Sequence, residues 1–231
     1  MYKALIVEDD EDLCVITAAH LTHAGYEVDK AGTCAAAEEL LAKKKYDLIL
    51  LDELLPDCSG DKLCREIRSR CACPIIFMSC MDDSETIISA LRSGGDDYMV
   101  KPVNYEELLA RADAIIRRSG ARSSEMARSG VQGGIMEFKH FSVDTVHRCI
   151  LHGEERTELS SIEYSLLLYM VQHPDTLLLY HDLYQNVWST DSLGDVRTVM
   201  VHISNLRKKV DPDRLGIIST VRNAGYIFSD L

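Results

Sequence analysis

The run Leu48-Ile49-Leu50-Leu51-Asp52-Glu53-Leu54-Leu55-Pro56-Asp57-Cys58-Ser59-Gly60 constrains the fold more than any other stretch of this chain. Four consecutive apolar residues end in an acid and then in turn formers. A strand apolar on both sides of its pleat suits a parallel sheet covered on both faces, because a half-wet strand would alternate. Asp52 then sits at the carboxyl end of that strand, where open α/β sheets place their ligands. A single strand-end Asp does no more than open a loop, so its meaning depends on what the neighbouring strands carry.

Ala4-Leu5-Ile6-Val7 reads as a first buried strand ending in Glu8-Asp9-Asp10. A helix with Leu13, Ile16 and Leu21 follows, and Gly25 stops it before a short strand around Tyr26-Glu27-Val28. Thr33 is placed to cap a second helix through Leu40-Leu41. Gly60 to Arg70 carries Leu63 and Ile67 one turn apart, Pro74 to Ser79 is a fourth apolar run, and Ser84 to Arg92 is a helix ended by Gly94-Gly95. Tyr98-Met99-Val100 is a fifth strand closed by Lys101-Pro102. Asn104 caps a last amphipathic helix through Leu108, Ala112 and Ile115. Strand and helix alternating five times predict an α/β fold, a doubly wound five-stranded parallel sheet.

Polar groups recur at the strand ends: Glu8 and Asp9 on the first, Asp52 on the third, Ser79 on the fourth, Lys101 on the fifth. Strands ~4.8 Å apart bring such groups into one small site. Carboxylates gathered so closely repel unless a hard cation joins them, and Mg²⁺ suits oxygen ligands while leaving positions open for phosphate. Lys101 supplies a fixed positive charge for one phosphoryl oxygen and Ser79 a hydroxyl donor for another. An Asp is a competent nucleophile toward phosphorus. The predicted chemistry is in-line transfer of a phosphoryl group onto Asp52, stabilised by Mg²⁺ and Lys101.

The charge is uneven. The net −12 divides into −9 over residues 1–118 and −3 over 119–231, yet 196–222 holds six basic residues against Asp211 and Asp213. A locally basic segment in an acidic chain predicts a nucleic-acid footprint confined to one element. No apolar segment approaches the ~18 residues of a membrane span, and the start turns acidic too early for a signal peptide. The eight cysteines form no CxxC pair and no His/Cys zinc spacing, which predicts free thiols in a reducing, cytoplasmic compartment. Cys71 and Cys73 stand too close for an easy bridge.

Residues 119–134 are rich in Gly and Ser without periodic hydrophobes and read as a flexible linker. From Ile135 to Thr157 short runs predict a small antiparallel sheet. Ser160 and Glu163 form a capping box for a helix carrying Leu166, Leu167 and Met170, which His173-Pro174 ends. Residues 181–188 make a second helix. A third, from near Asp195, carries Val199, Ile203, Leu206 and Val210 toward a core. Its opposite face is predicted to present Thr198, Val201, Asn205 and Lys208, with Arg197 at the start and Lys209 at the end. That face fits a major groove, basic groups meeting phosphates and Asn meeting base edges. Ile217 to Phe228 reads as a hairpin with Arg222 near its turn.

On Val7-Glu8-Asp9-Asp10, Leu51-Asp52-Glu53-Leu54-Leu55-Pro56, Met78-Ser79-Cys80 and Gly94-Gly95-Asp96-Asp97-Tyr98-Met99-Val100-Lys101-Pro102, residues 3–118 resemble the receiver domain of bacterial two-component response regulators. The resemblance implies the strand order 2-1-3-4-5, with Asp9 beside Asp52. It implies Mg²⁺ held by Glu8, Asp9, Asp52 and the backbone carbonyl of Leu54. It makes Ser79 and Tyr98 a switch pair, the hydroxyl moving to the phosphate and the ring following inward. Cys80 stands where the family usually has Ala, and Val103 where it has Phe.

On Leu159-Ser160-Ser161-Ile162-Glu163-Tyr164, Val187-Trp188, Arg197-Thr198-Val199, His202 through Lys209 and Thr220 through Tyr226, residues 135–229 resemble the winged-helix effector domain of the OmpR/PhoB family. The resemblance implies an α+β winged helix-turn-helix domain whose third helix enters the major groove, with Thr220 and Arg222 of the wing also at the DNA. Met200 replaces the usual Asp and Asn223 the usual Gly, which Asn can match in left-handed backbone. The implied organisation is a receiver over 1–118, a linker over 119–134 and a DNA-binding domain over 135–231. The implied function is a non-enzymatic transcriptional regulator. A sensor histidine kinase phosphorylates it at Asp52, and it then binds double-stranded DNA as a homodimer, with RNA polymerase a further partner.

Relatives dimerise through the fourth helix, fifth strand and fifth helix of the receiver. Asp97 and Arg111 supply one of the usual charge pairs, whereas Glu107 would face Ile87 and Arg118 would face Arg92. That predicts a contact in which apolar Ile87 offsets the missing pairs. Two rival readings remain in view. Haloacid-dehalogenase-like phosphatases also use a nucleophilic Asp, but they place an acid two residues later, where this chain has Leu54, so a phosphoryl group here should persist. A DNA-binding regulator controlled by protein contacts would not need Glu8, Asp9, Asp52, Ser79 and Lys101 together.

Overall fold

A computed structural model of the chain describes residues 1–120, 134–188 and 196–229, which fall into two compact units, Met1–Ile116 and Arg117–Leu231. In the first unit β1 (Lys3–Val7), β2 (Glu27–Ala31), β3 (Leu48–Leu51), β4 (Ile75–Ser79) and β5 (Asp97–Val100) form a parallel sheet ordered β2-β1-β3-β4-β5. The helices α1 (Glu11–His23), α2 (Cys34–Lys43), α3 (Gly60–Arg68), α4 (Ser84–Arg92) and α5 (Tyr105–Gly120) alternate with the strands. Leu48, Ile49, Leu50 and Leu51 are all fully buried. Each side chain contributes ~1.5–3 kcal/mol relative to exposure, so the central strand anchors the sheet by burial on both faces.

Side chains fix where the helices start. Asp10 accepts from the Leu13 N–H, Thr33 from Ala36, Asp83 from Thr86, and Asn104 from Glu106 and Glu107. Each satisfies donors that the first turn leaves free. Gly60 opens α3 because a Cβ there would lie 2.2 Å from the Asp52 carbonyl oxygen. Arg68, at the end of α3, donates to the carbonyls of Gly94 and Cys73 and to the Asp96 carboxylate. Asp96 also accepts the Ile75 N–H at 2.8 Å, so one buried ion pair joins α3, the start of β4 and the turn before β5.

Several expectations change. α3 ends at Arg68, two residues early, and α5 continues to Gly120, past the expected domain end. Of the expected linker, residues 121–133 lie outside the described residues, as does Asp195. Ile87 is only 2% exposed, so it does not supply the apolar dimer contact expected of it. It shares with Ala90 and Leu91 the arc of α4 that packs inward. Asp97 and Arg111 form a buried ion pair inside this receiver at 2.6 Å, and Arg111 also takes Glu107 at 2.6 Å. In this conformation that pair is internal and does not reach across a two-fold axis. Burial pushes the Asp97 carboxyl up, against the pull of Arg111.

The cysteines also depart from expectation. Cys34 and Cys58 form a disulfide, whereas the other six are free thiols and Cys71 and Cys73 stay unbridged. Positions 24 apart in sequence meet because both lie beyond carboxyl ends of strands flanking β1.

In the second unit β6 (Ile135–Glu137), β7 (Ser142–Asp144), β8 (Cys149–His152) and β9 (Glu155–Glu158) form an antiparallel sheet. Then come α6 (Ser161–Val171), β10 (Leu178–Leu179), α7 (Tyr180–Trp188), α8 (Val196–Val210), β11 (Ile218–Val221) and β12 (Gly225–Phe228), with strand order β10-β12-β11. The capping box of Ser160 and Glu163 is formed. Trp188 is fully buried and stacks on Tyr184 at 4.9 Å. Asn223 turns the β11–β12 hairpin at φ 58°, the left-handed backbone that Asn tolerates better than most side chains.

Candidate functional site

The parallel sheet brings the strand-end groups together at its carboxyl edge. Glu8, Asp9 and Asp52 each place a carboxylate oxygen within 4.8 Å of the others. Lys101 follows β5, and its Nζ lies 2.7 Å from Glu8 Oε2 and 2.5 Å from Asp52 Oδ2. Glu8 and Asp52 are buried and Asp9 is exposed, so the cluster opens to solvent through Asp9. Three carboxylates against one ammonium leave two negative charges. The all-oxygen donor set fits a hard divalent cation.

The electrostatics follow from this crowding. Burial pushes the Glu8 carboxyl up, and Asp52 adds to that, while the hydrogen bond from Lys101 opposes it. Burial acts to lower Lys101, but the hydrogen bonds to Asp52 and Glu8 outweigh it and hold the ammonium above its usual range. Leu54 donates its N–H to Asp52 Oδ1 at 3.1 Å. The two oxygens of Asp52 are therefore oriented by different partners, one by a backbone amide and the other by Lys101.

Ser79 is fully buried at the end of β4, and its Oγ accepts the Met81 N–H at 3.3 Å. Tyr98 is buried on β5 and donates its hydroxyl to the Met81 carbonyl at 2.7 Å. One residue, Met81, thus holds both members of the expected switch pair, a link that apolar patterning could not reveal. Cys80 is exposed beside it. Glu53, next to Asp52, is buried and pushed up to about 7, first by burial and then by Asp61. Its Oε2 is the one buried side-chain oxygen without a hydrogen-bond partner among the described residues.

In the second unit α8 presents a different face from the one expected. Thr198 and Val201 are 1% and 5% exposed, so the expected groove face is corrected at both. The buried arc of α8 is wider than an apolar stripe of Val199, Ile203, Leu206 and Val210, and it also takes in His202, which packs on Trp188 at 5.6 Å. Lys209 is likewise corrected, because its Nζ turns back to Glu163 at 2.7 Å and to the Glu158 carbonyl at 3.0 Å. Arg207 binds the Ile218 carbonyl and the Thr220 hydroxyl and lies 5.7 Å from the Tyr226 ring centroid, tying α8 to the hairpin.

The outward face centres on Val196 and Met200, 43% and 46% exposed, with Lys208 exposed and Arg197 and Ser204 half-buried. Asn205 is half-buried at its margin, and Thr220 and Arg222 are at the hairpin, Thr220 exposed and Arg222 exposed near the turn. A helical-wheel reading centred on the outward residues would have found Met200, which lies about one turn from both Val196 and Ser204.

Among the described residues, no helix is long and apolar enough to cross a membrane. Residues 4–113 match the family model of the response regulator receiver domain, and residues 153–228 match that of the transcriptional regulatory protein C-terminal domain. The transcriptional regulatory protein ResD of Bacillus subtilis is 34% identical over 232 residues, covering 98% of this chain and 95% of that protein. The solved structure of a RitR mutant aligns over 100% of both chains with a TM-score of 0.78 and 26% identity. The response regulator DrrB, a Thermotoga maritima OmpR/PhoB homologue, aligns over 99% of both with a TM-score of 0.51 and 25% identity. With its receiver fold, its acidic strand-end cluster and its winged-helix-type second unit, the chain belongs to the OmpR/PhoB family of transcriptional response regulators.

Proposed function

We propose that this regulator is switched by phosphorylation of Asp52, with a sensor histidine kinase as donor, and that the phosphorylated form pairs as a homodimer on double-stranded DNA. One observation carries the reading: Lys101 reaches both Glu8 and Asp52 at the point where three carboxylates converge. Glu8, Asp9, Asp52 and the Leu54 carbonyl would hold Mg²⁺, which supplies positive charge to a phosphoryl group when bound. Asp52 Oδ1, kept by the Leu54 amide, and Oδ2, kept by Lys101, fix the carboxylate plane for attack. Lys101 then balances charge on the transferred group, and Ser79 offers its hydroxyl. Tyr98 would read the change through Met81. The receiver runs over the expected 1–118 with its last helix continuing to Gly120, the linker follows it up to 134, and the DNA-binding domain runs over 135–231. The protein acts in the cytoplasm as a binding switch, not an enzyme, and RNA polymerase is a further partner.

The full chain incubated with acetyl phosphate and Mg²⁺ should gain the mass of one phosphoryl group, and none when EDTA is present. Uptake independent of divalent cation, or none at all, overturns this reading.

The outward face of α8 and the hairpin would supply the DNA contacts, through Arg197, Met200, Asn205, Lys208 and Arg222. Three to four phosphate contacts of this kind predict an affinity that falls ~10²-fold between 50 and 200 mM salt. In a filter-binding or anisotropy titration, Arg197→Ala should weaken binding to all sequences alike. Met200→Ala should change preference at one base step, because an apolar side chain in the major groove reads the thymine methyl. Binding unaffected by salt would count against a DNA role for this face.

A further inference from the structure

The carboxyl edge of the sheet carries a second chemical feature beside the acidic cluster. Cys34 is the first residue of α2, and Cys58 lies in the loop between β3 and α3. They are joined with their Cα atoms 6.2 Å apart, across 24 positions of sequence. Cys34 is buried and Cys58 half-buried, so a reagent from solvent meets Cys58 first. Asp57 holds the same two elements together without the sulfurs, its carboxylate accepting the N–H groups of Cys34 at 2.8 Å and Ala35 at 3.0 Å. That clasp would keep the two side chains facing each other with the bond open, and the Cα separation lies within the range that a disulfide spans.

The loop that carries Cys58 also carries the acceptor site. Ser59 is bridged to Leu54, Gly60 donates to the Glu53 carbonyl at 2.8 Å, and Leu54 donates to Asp52 Oδ1 at 3.1 Å. Gly60 is packed so tightly on the Asp52 backbone that no Cβ fits. Residues 52–60 thus behave as one closed unit. A covalent tie at Cys58 fixes that unit against α2, and opening the tie leaves the Asp57 clasp in place.

We propose that Cys34 and Cys58 form a reversible thiol–disulfide switch, whose closed form holds the loop bearing Asp52 and Leu54 ready for a divalent cation and a phosphoryl group. The regulatory half of this proposal rests on phosphorylation at Asp52. The oxidant is a low-molecular-weight disulfide of the glutathione type. The Cys58 thiolate attacks one of its sulfurs and expels one small thiolate. The Cys34 thiolate then attacks Cys58 of the mixed disulfide and expels the second. Two protein thiols lose two electrons and two protons, one S–S bond forms in the protein, and the small disulfide becomes two thiols. A reducing dithiol reverses the exchange. Fixing the loop in advance lowers the ordering cost of cation binding, so the closed form should need less Mg²⁺.

The test uses the full chain, first reduced and then equilibrated with oxidised glutathione. Differential alkylation and peptide mass mapping should find Cys34 linked to Cys58, and dithiothreitol should release the link. Phosphoryl uptake from acetyl phosphate should reach half its maximum at a several-fold lower Mg²⁺ concentration in the oxidised form. Cys58→Ser and Cys34→Ser should each abolish both the link and the redox difference, while taking up phosphoryl groups as the reduced wild type does. Cys58→Ser, at the half-buried loop position, is the milder change should Cys34→Ser fold poorly.

A map with no Cys34–Cys58 link under oxidised glutathione overturns the switch. Stoichiometric Zn²⁺ uptake by the reduced protein that Cys58→Ser removes also overturns it, since Cys34, Asp57 and Cys58 would then form a metal site. A link that forms without changing the Mg²⁺ dependence overturns its regulatory role. Absence of phosphoryl uptake in both redox forms instead rejects Asp52 as acceptor and leaves the link standing on its map.

Discussion

In the Asp52→Asn protein, phosphoryl uptake from acetyl phosphate with Mg²⁺ is expected to vanish, because an amide is no nucleophile toward phosphorus. Lys101→Ala should slow uptake ~10²–10³-fold without removing the acceptor, the usual effect of deleting one fixed group aimed at developing charge. The geometry explains the size of this second effect. Lys101 is the ammonium found between Glu8 and Asp52, at 2.7 and 2.5 Å, with both carboxylates buried and Lys101 itself half-buried. Without it Asp52 Oδ2 loses its orienting partner, and Glu8, already pushed up by burial, loses the bond that opposes the rise. A time course of intact mass reads both variants. Full labelling of Asp52→Asn would place the acceptor elsewhere, and wild-type kinetics in Lys101→Ala would show that its ion pairs serve only the fold.

The largest stability effect is expected at Arg68. Its guanidinium pairs with the buried carboxylate of Asp96 and donates to the carbonyls of Gly94 and Cys73. Removing it in Arg68→Ala takes away the cation that offsets the buried Asp96 carboxylate, whose Ile75 N–H bond carries no full charge, at a cost of about 3–5 kcal/mol. For a unit of this size that corresponds to a melting temperature ~15 °C lower for the receiver transition. Differential scanning calorimetry of the full chain should show that shift in one transition, with the second unit unmoved. The double variant Arg68→Met/Asp96→Asn should recover part of the loss, because it removes the stranded charge together with its partner. A shift of only one or two degrees in Arg68→Ala would mean that water replaces the guanidinium at no great cost.

Much of the receiver was legible in the sequence because the signals involved are local. Leu48–Leu51 is apolar at four successive positions, which in a doubly wound sheet means burial on both faces, and all four are buried. Thr33, Asn104 and Ser160 cap the helices expected of them, since capping needs only a side chain three residues from its partner. The meeting of Glu8, Asp9, Asp52, Ser79 and Lys101 at one edge followed from parallel strands of similar length. Every such strand delivers its last residue to the same side.

What the sequence could not give depends on which side of an element faces the rest of the molecule. On α8 an apolar stripe marks the centre of the buried arc but not its width, and Thr198 and Val201 are buried as well. Ile87, Asp97 and Arg111 have side chains suited to a partner surface, yet the receiver's own interior takes Ile87 and closes Asp97 on Arg111. The Cys34–Cys58 contact joins the start of α2 to a loop 24 residues away, and neither spacing nor composition encodes such a distance. By itself the sequence determined the order of elements and the chemistry at their ends, because hydrophobic period and capping act within a few residues. The tertiary structure alone decided which cysteines meet, which charges close internally and which face of α8 is offered outward, because those outcomes depend on non-local packing.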